Sequence, residues 1–297
     1  MRSYRTSTAF DRSRLRSVEA LPSFACRIKS DVMHQSTKHA TAVPGVEVIS
    51  IISDRSFPRH THDEFGIGYI VRGGQESWSG RGMVEASAGD VITVNPGELH
   101  DGLGRKGAPR HWRMLFFAPE IISRFAASSK EGLEFASPVV QDRVKSRAVA
   151  RAIDALSTEE RDDGYLEELL ISALQDVAAE PAHTHRRDEG GYSRAVRRVL
   201  DKIGCEAAAP LRLDDFAEAA GMSRFQILRL FAREVGTPPY SYLMQHRVKT
   251  ARRLIRSGMA LAEAAVAAGF SDQSHMTRAF VKQFGITPGA CKAERPK

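Results

Sequence analysis

The apolar positions of this chain change period along its length, and that change marks out its elements. From Val46 to about Phe117 they form short runs of β-branched and aromatic residues broken by glycine. Val46 to Ile52, Phe65 to Arg72, Gln75 to Ser79, Gly89 to Val94 and Arg113 to Phe117 read as strands, with turns at Gly73-Gly74, Gly80-Arg81-Gly82 and Asn95-Pro96-Gly97. Many short strands with regular turns predict a sandwich or barrel. Residues 119 to 180 return to helical spacing: Leu166, Leu169, Leu170, Ala173, Leu174 and Val177 form one stripe, and Val144, Ala148, Ile153 and Leu156 lie on an earlier helix. Such a stripe packs either on the barrel or on its twin in a dimer.

In the last third the helical period is written twice. Leu213, Phe216, Ala217 and Ala220 make an apolar stripe that Leu261, Ala264, Ala265 and Ala268 repeat. Ala219-Ala220-Gly221-Met222-Ser223 recurs as Ala267-Ala268-Gly269-Phe270-Ser271 at an offset of 48. Ile227-x-Arg229-x-Phe231 then pairs with Met276-x-Arg278-x-Phe280, and Gly236 with Gly285, at an offset of 49. Each glycine stands where a helix stops and turns, and each serine where the next is capped. Helix, glycine turn, capped helix is the helix-turn-helix pattern, whose second helix enters the DNA major groove.

If Ile227, Leu230 and Phe231 pack inward, Phe225, Gln226 and Arg229 face out, with Ser274, His275 and Arg278 as their counterparts. Arg grips guanine edges with two hydrogen bonds, Gln can do the same for adenine, and an apolar side chain meets a thymine methyl. Solvated helix faces also carry such residues, but Arg stands at the same place in both copies. Between them, a predicted helix from Tyr240 to Ser257 carries Arg247, Lys249, Arg252, Arg253 and Arg256. It is either a solvated charge run or a rigid spacer that sets two reading helices in successive grooves about 34 Å apart.

Residues 193 to 292 resemble the AraC/XylS transcription regulators. The likeness rests on Ile227-x-Arg229-x-Phe231, Pro239-x-x-Tyr242, Arg247-x-x-x-Ala251, Gly269-Phe270-Ser271-Asp272-Gln273-Ser274-His275 and Gly285-Ile286-Thr287-Pro288-Gly289. By position, the resemblance implies base-facing residues Arg224, Phe225, Gln226 and Arg229 in one unit, and Gln273, Ser274, His275 and Arg278 in the other. Arg212 and Ala260 depart from the usual Ser or Thr caps, Ala264 from a larger aliphatic, and Cys291 from Tyr.

Upstream, His60-Thr61-His62, Gly73, Gly89-Asp90 and Pro96-Gly97-Glu98-Leu99-His100 resemble the cupin barrel, which converges two His, a Glu and a third His on a metal. Two His at i and i+2 on a strand share a face, as chelation requires. The Glu does not match: its place falls at Gly66 or Ile67. His60, His62 and His100 are therefore read either as metal ligands or as polar pocket and structural residues, the second being usual in such regulators. Tyr69, Trp78 and Trp112 are candidate pocket walls, or core aromatics.

Composition sharpens this division. The 297 residues suffice for about two domains. The net charge of +7 splits into +9 from Ser193 onward, −7 over residues 41 to 192 and +5 over residues 1 to 40. The tail thus has an electrostatic reason to meet phosphate and the middle does not. Cys26, Cys205 and Cys291 are odd in number and widely spaced, which fits a reducing cytoplasm without disulfides. No run approaches the roughly 18 apolar residues of a membrane span.

The expected architecture is α+β and multidomain. Residues 1–40 read as a disordered extension, 41–180 as a cupin-like barrel (double-stranded β-helix) with flanking helices, 181–192 as a linker, and 193–297 as an all-α tandem helix-turn-helix domain. The expected function is a sequence-specific, effector-controlled regulator of transcription that is not an enzyme and needs no cofactor. The resemblance implies an activator, and as partners double-stranded DNA, a small-molecule effector at His60, His62, Tyr69, Trp78 and His100, RNA polymerase, and a second copy in a homodimer. The rivals are a metal-dependent cupin enzyme with an appended DNA module and a DNA binder without an effector.

Overall fold

A computed structural model of the chain describes residues 34–41, 43–80, 82–105, 108–121, 134–157 and 192–292, together with 166, 169, 170, 172–174 and 177. The strands among them are β1 (His34–His39), β2 (Val46–Ser53), β3 (Phe57–His60), β4 (Phe65–Arg72), β5 (Gly74–Ser79), β6 (Gly82–Ser87), β7 (Val91–Val94), β8 (His100–Gly104), β9 (Arg110–Phe117) and β10 (Val139–Val140). They form a six-stranded sheet in the order β1-β2-β9-β4-β7-β10 and a four-stranded sheet in the order β3-β8-β5-β6.

The larger sheet is covered on both faces, which is why its central strands are apolar almost throughout. Along β2, Val46 and Val48 turn to one side while Ile49 and Ile51 turn to the other. β9 divides likewise, Leu115 and Phe117 against Trp112 and Met114. The first side is packed by helix α1 (Arg143–Leu156), capped by Asp142 through the amides of Val144 and Lys145. α1 buries Val149, Ala152, Ile153 and Leu156, whereas Val144, expected on its stripe, is exposed. Leu166, Leu170, Ala173, Leu174 and Val177 are buried in the same cluster. That stripe therefore packs on its own barrel. The second side of the sheet looks across the lumen to the smaller sheet.

Residues 1–40 do not all lie outside the fold. β1 pairs antiparallel with β2 from His34 opposite Ser53 to His39 opposite Val48. Its sequence is polar throughout, so it carries no strand signal of its own; the edge of β2 supplies the pairing. Residues 1–33 of the expected extension and 181–191 of the expected linker lie outside the described residues.

The C-terminal part is all helical: α2 (Arg194–Glu206), α3 (Leu213–Ala220), α4 (Arg224–Val235), α5 (Pro239–Arg256), α6 (Leu261–Ala267), α7 (Gln273–Phe284) and a 3-10 turn at Gly289–Cys291. α3 and α6 stop at Gly221 and Gly269, with φ of 65° and 88°, a conformation in which a side chain is strained. At Gly269 a Cβ would also lie 2.7 Å from Ala208 Cα. Ser223 caps α4 as expected, but Asp272, not Ser271, caps α7, accepting from the His275 amide at 2.7 Å. Asp reaches its own N3 amide as well as Ser does, so the cap moves one residue.

Two cores result. Phe216, Ile227, Phe231 and Leu243 belong to a cluster built by α2 to α5 alone. Ala264, Met276, Phe280 and Phe284 of the second unit belong to the same cluster as Ile51, Phe57, Trp112 and Met114 of the barrel.

Candidate functional site

The barrel lumen holds a cavity of about 110 Å³. Its walls follow from strand parity: Gln75, Ser77 and Ser79 of β5 point in, as do Trp112, Met114 and Phe116 of β9. Parity also corrects two expected pocket residues. Tyr69 shares a face of β4 with Phe65 and Ile67 and packs in the cluster under α1. Trp78 turns out from β5, lies 4.1 Å beneath the Arg59 guanidinium, and donates its backbone amide to Asp101.

The three histidines do come together. Their nearest ring nitrogens lie within 4.8 Å of one another, with His60 Nε2 3.1 Å from His62 Nε2. His60 Nδ1 donates to Pro58 O at 2.7 Å and His100 Nδ1 to Glu98 O at 3.0 Å, which leaves both Nε2 lone pairs facing the cluster. Burial pushes His60 down to about 3, aided by His100. Burial, then the neighbouring imidazoles, holds His62 well below its usual value, and burial also lowers His100. The rings are thus neutral near pH 7. Three converging imidazoles, those of His60 and His100 held by backbone carbonyls, fit a zinc-class ion with one position open; the fourth, carboxylate ligand of the cupin pattern has no counterpart among the described residues. Glu64, close to that place in sequence, turns away to Arg252 and Arg256.

The far wall of the cavity comes from the other domain. Gln283 and Phe284 of α7 line it. Phe284 lies 5.6 Å from the His62 ring, and Gln283 Nε2 donates to Thr61 O at 3.5 Å. His34 Nε2, from β1, donates to Gly285 O at 2.6 Å, just beyond the end of α7.

Beside this contact sits a charge cluster that changes the reading of the basic spacer helix. Arg252 is buried and donates to Glu64 at 2.7 Å and Glu47 at 2.8 Å. Arg256 reaches the same two carboxylates at 2.9 and 3.1 Å, and Lys249 meets Asp63 at 2.6 Å. Burial pushes the Glu47 carboxyl up, but Arg252, Arg256 and Lys38 outweigh it and hold it below the usual carboxylate range. Arg247 instead turns into the first helix-turn-helix unit, donating to Ala207 O at 2.7 Å and Ala209 O at 2.6 Å. Lys249, Arg252 and Arg256 are therefore held by the barrel and Arg247 by the first unit, while, among the described residues, Arg253 donates only to Thr250 of its own helix, at 3.4 Å. Only the opposite signs of the two halves hinted at this in the sequence.

On the reading helices, Arg224, Phe225, Gln226 and Arg229 are exposed, as are Gln273, Ser274 and Arg278, while His275 is partly buried. Arg224 pairs with Asp214 of α3. Gln226 accepts from the Ser223 amide at 3.0 Å and so completes the α4 cap. The Arg229 guanidinium lies 5.3 Å from the Phe225 ring centroid. His275 stacks edge-on against Phe270 at 5.3 Å.

Among the described residues, no helix is long and apolar enough to cross a membrane. Residues 43–174 match the AraC-like ligand binding domain, and residues 216–294 match a helix-turn-helix domain. The HTH-type transcriptional regulator YbfI of Bacillus subtilis is 28% identical over 225 residues, covering 75% of this chain and 82% of that protein. The transcriptional activator NphR of a Rhodococcus species is 34% identical over 133 residues, covering 44% of this chain and 38% of its own. The HTH-type transcriptional regulator MtrA of Neisseria gonorrhoeae is 31% identical over 100 residues, about a third of each chain. A ligand-binding barrel joined to tandem helix-turn-helix units makes this chain a member of the AraC/XylS family, an effector-controlled, DNA-binding regulator of transcription.

Proposed function

We propose that the protein activates transcription in the cytoplasm as a homodimer that contacts RNA polymerase. It reads its operator with Arg224, Phe225, Gln226 and Arg229 of α4 and with Gln273, Ser274, His275 and Arg278 of α7. The effector occupies the barrel cavity, with His60, His62 and His100 among its polar contacts. One observation carries this reading: α7 bears the exposed Arg278 on one side and closes the cavity with Gln283 and Phe284 on the other. An effector that presses on Phe284 therefore acts on a reading helix directly, and its differential affinity for two placements of α7 is the coupling free energy. The clamp of Glu47 and Glu64 on Arg252 and Arg256 is the element such a shift would load.

Site selection from a random-sequence DNA pool tests the assignment. Arg229→Ala and Arg278→Ala should each relax base preference in a different half of the selected site, with a loss of about 1–3 kcal/mol. Unchanged affinity and preference in both variants would overturn it. A second reading, a metal-dependent enzyme, is favoured only by the converging imidazoles, where a bound ion would supply a Lewis acid facing the lumen. Stoichiometric metal in the purified protein that disappears in His62→Ala, together with turnover, would support it.

A further inference from the structure

Among the described residues, one buried cation of the barrel, Arg110, has no counter-charge. Arg110 opens β9 with its side chain turned into the lumen, where it is 1% exposed. Its Nη2 donates to Gly102 O at 2.9 Å, but Nε and Nη1 have no hydrogen-bond partner. The two acids on the cavity wall are committed elsewhere. Asp101 accepts the Trp78 amide at 2.7 Å and faces Arg59 at 3.6 Å, and Glu98 accepts from Asn95 N and Nδ2 at 3.1 and 3.0 Å. A buried, unpaired cation is strongly unfavourable, and folds retain one where something is to be bound. Desolvation alone pulls this guanidinium down to about 10, which still leaves it charged at neutral pH.

The surroundings are shaped for the fork. A Cβ at residue 104 would lie 2.6 Å from Nη1 and one at residue 102 would lie 3.4 Å from Nη2, so Gly102 and Gly104 open the slot that the guanidinium fills. The Trp112 ring centroid lies 4.7 Å from Cζ and that of Phe57 5.8 Å. Beyond the fork the lumen is mainly apolar, walled by Ile51, Ile92 and Met114.

We propose that the sensor cavity takes an organic monocarboxylic acid, whose carboxylate is gripped by Arg110 and whose apolar body lies against Trp112 and Met114. The inference rests on the reading of this cavity as the effector site. A guanidinium matches one carboxylate in a two-bond fork and in charge, whereas a dianion would leave excess negative charge among apolar walls. The volume of about 110 Å³ suits an acid near the size of benzene, which fills an engineered cavity of roughly 150 Å³.

Thermal shifts of the full chain with acetate, butyrate, hexanoate, benzoate and phenylacetate, each against its amide, test this, with chloride as the plain anion. At least one acid should stabilise the protein with an affinity tenfold or more above its amide. Arg110→Met should abolish that preference while folding at least as stably as the wild type, since it removes an unpaired buried charge. Arg110→Lys should keep part of the preference. No acid surpassing its amide, an equal response to chloride, or a preference that survives Arg110→Met would overturn the proposal. Operator affinity separates the two readings: an acid bound through Arg110 that leaves it unchanged refutes the effector site, and an amide that binds in the cavity and alters it refutes the acid.

Discussion

At the scale of single residues, what a side chain does here depends on which of two faces it shares. Arg247 sits in a basic run that reads as a solvated or phosphate-facing stripe, yet its guanidinium satisfies the carbonyls of Ala207 and Ala209, just past the end of α2. Arg247→Ala leaves both acceptors without their charged donor and should destabilise the protein by about 2–3 kcal/mol in urea unfolding, with Arg247→Lys recovering part of it. Tyr69 and Trp78 show the limit of sequence reading from the other side. Strands buried on both faces lose the polar alternation that tells lumen from exterior, so their parity had to come from register. Arg110 was hidden for the same reason, since an arginine at a strand start ordinarily points to water. His60, His62 and His100 were legible because i, i+2 spacing fixes a common face whatever lies around it.

At the scale of elements, the tandem repeat predicted α3, α4, α6 and α7, because glycine turns and capped helices are local features that survive any context. β1, β3, β6 and β8 were not legible as strands: they are short or polar, and they pair because a neighbouring edge is available. The role of α5 was equally hidden, since its partners Glu47 and Glu64 lie about 190 to 205 positions away in sequence. That contact has a pH signature. The Glu47 carboxyl is held below its usual value of 4.5, so its contribution is complete above about pH 4.5 and is lost as pH falls through the lowered value. Thermal midpoints measured from pH 6 down to 3 should fall below about 4.5, and Glu47→Gln should show a flatter curve from a lower starting point. An identical slope in the variant would deny the clamp its part in stability.

At the scale of the whole molecule, the acidic barrel and the basic tail are one electrostatic system. The sequence gives their opposite signs, and the structure gives the contact: Asp63, Glu47 and Glu64 hold Lys249, Arg252 and Arg256 against the barrel. Cations so held are withdrawn from DNA phosphate, and the α7 they flank is tied to the cavity wall through Phe284. In the proposed function, sensor and reader are coupled through this contact. That coupling is tested most directly by operator affinity against salt for the wild type, the Glu47→Gln/Glu64→Gln variant and, as a charge control, Glu85→Gln on the exposed surface of the same barrel. Releasing the clamp should raise affinity by about 5-fold or more, the scale of an allosteric coupling of 1–3 kcal/mol. It should also steepen the salt dependence by the freed cations, while the control changes neither. Affinity and salt slope equal to the wild type in the unclamped variant would contradict the account.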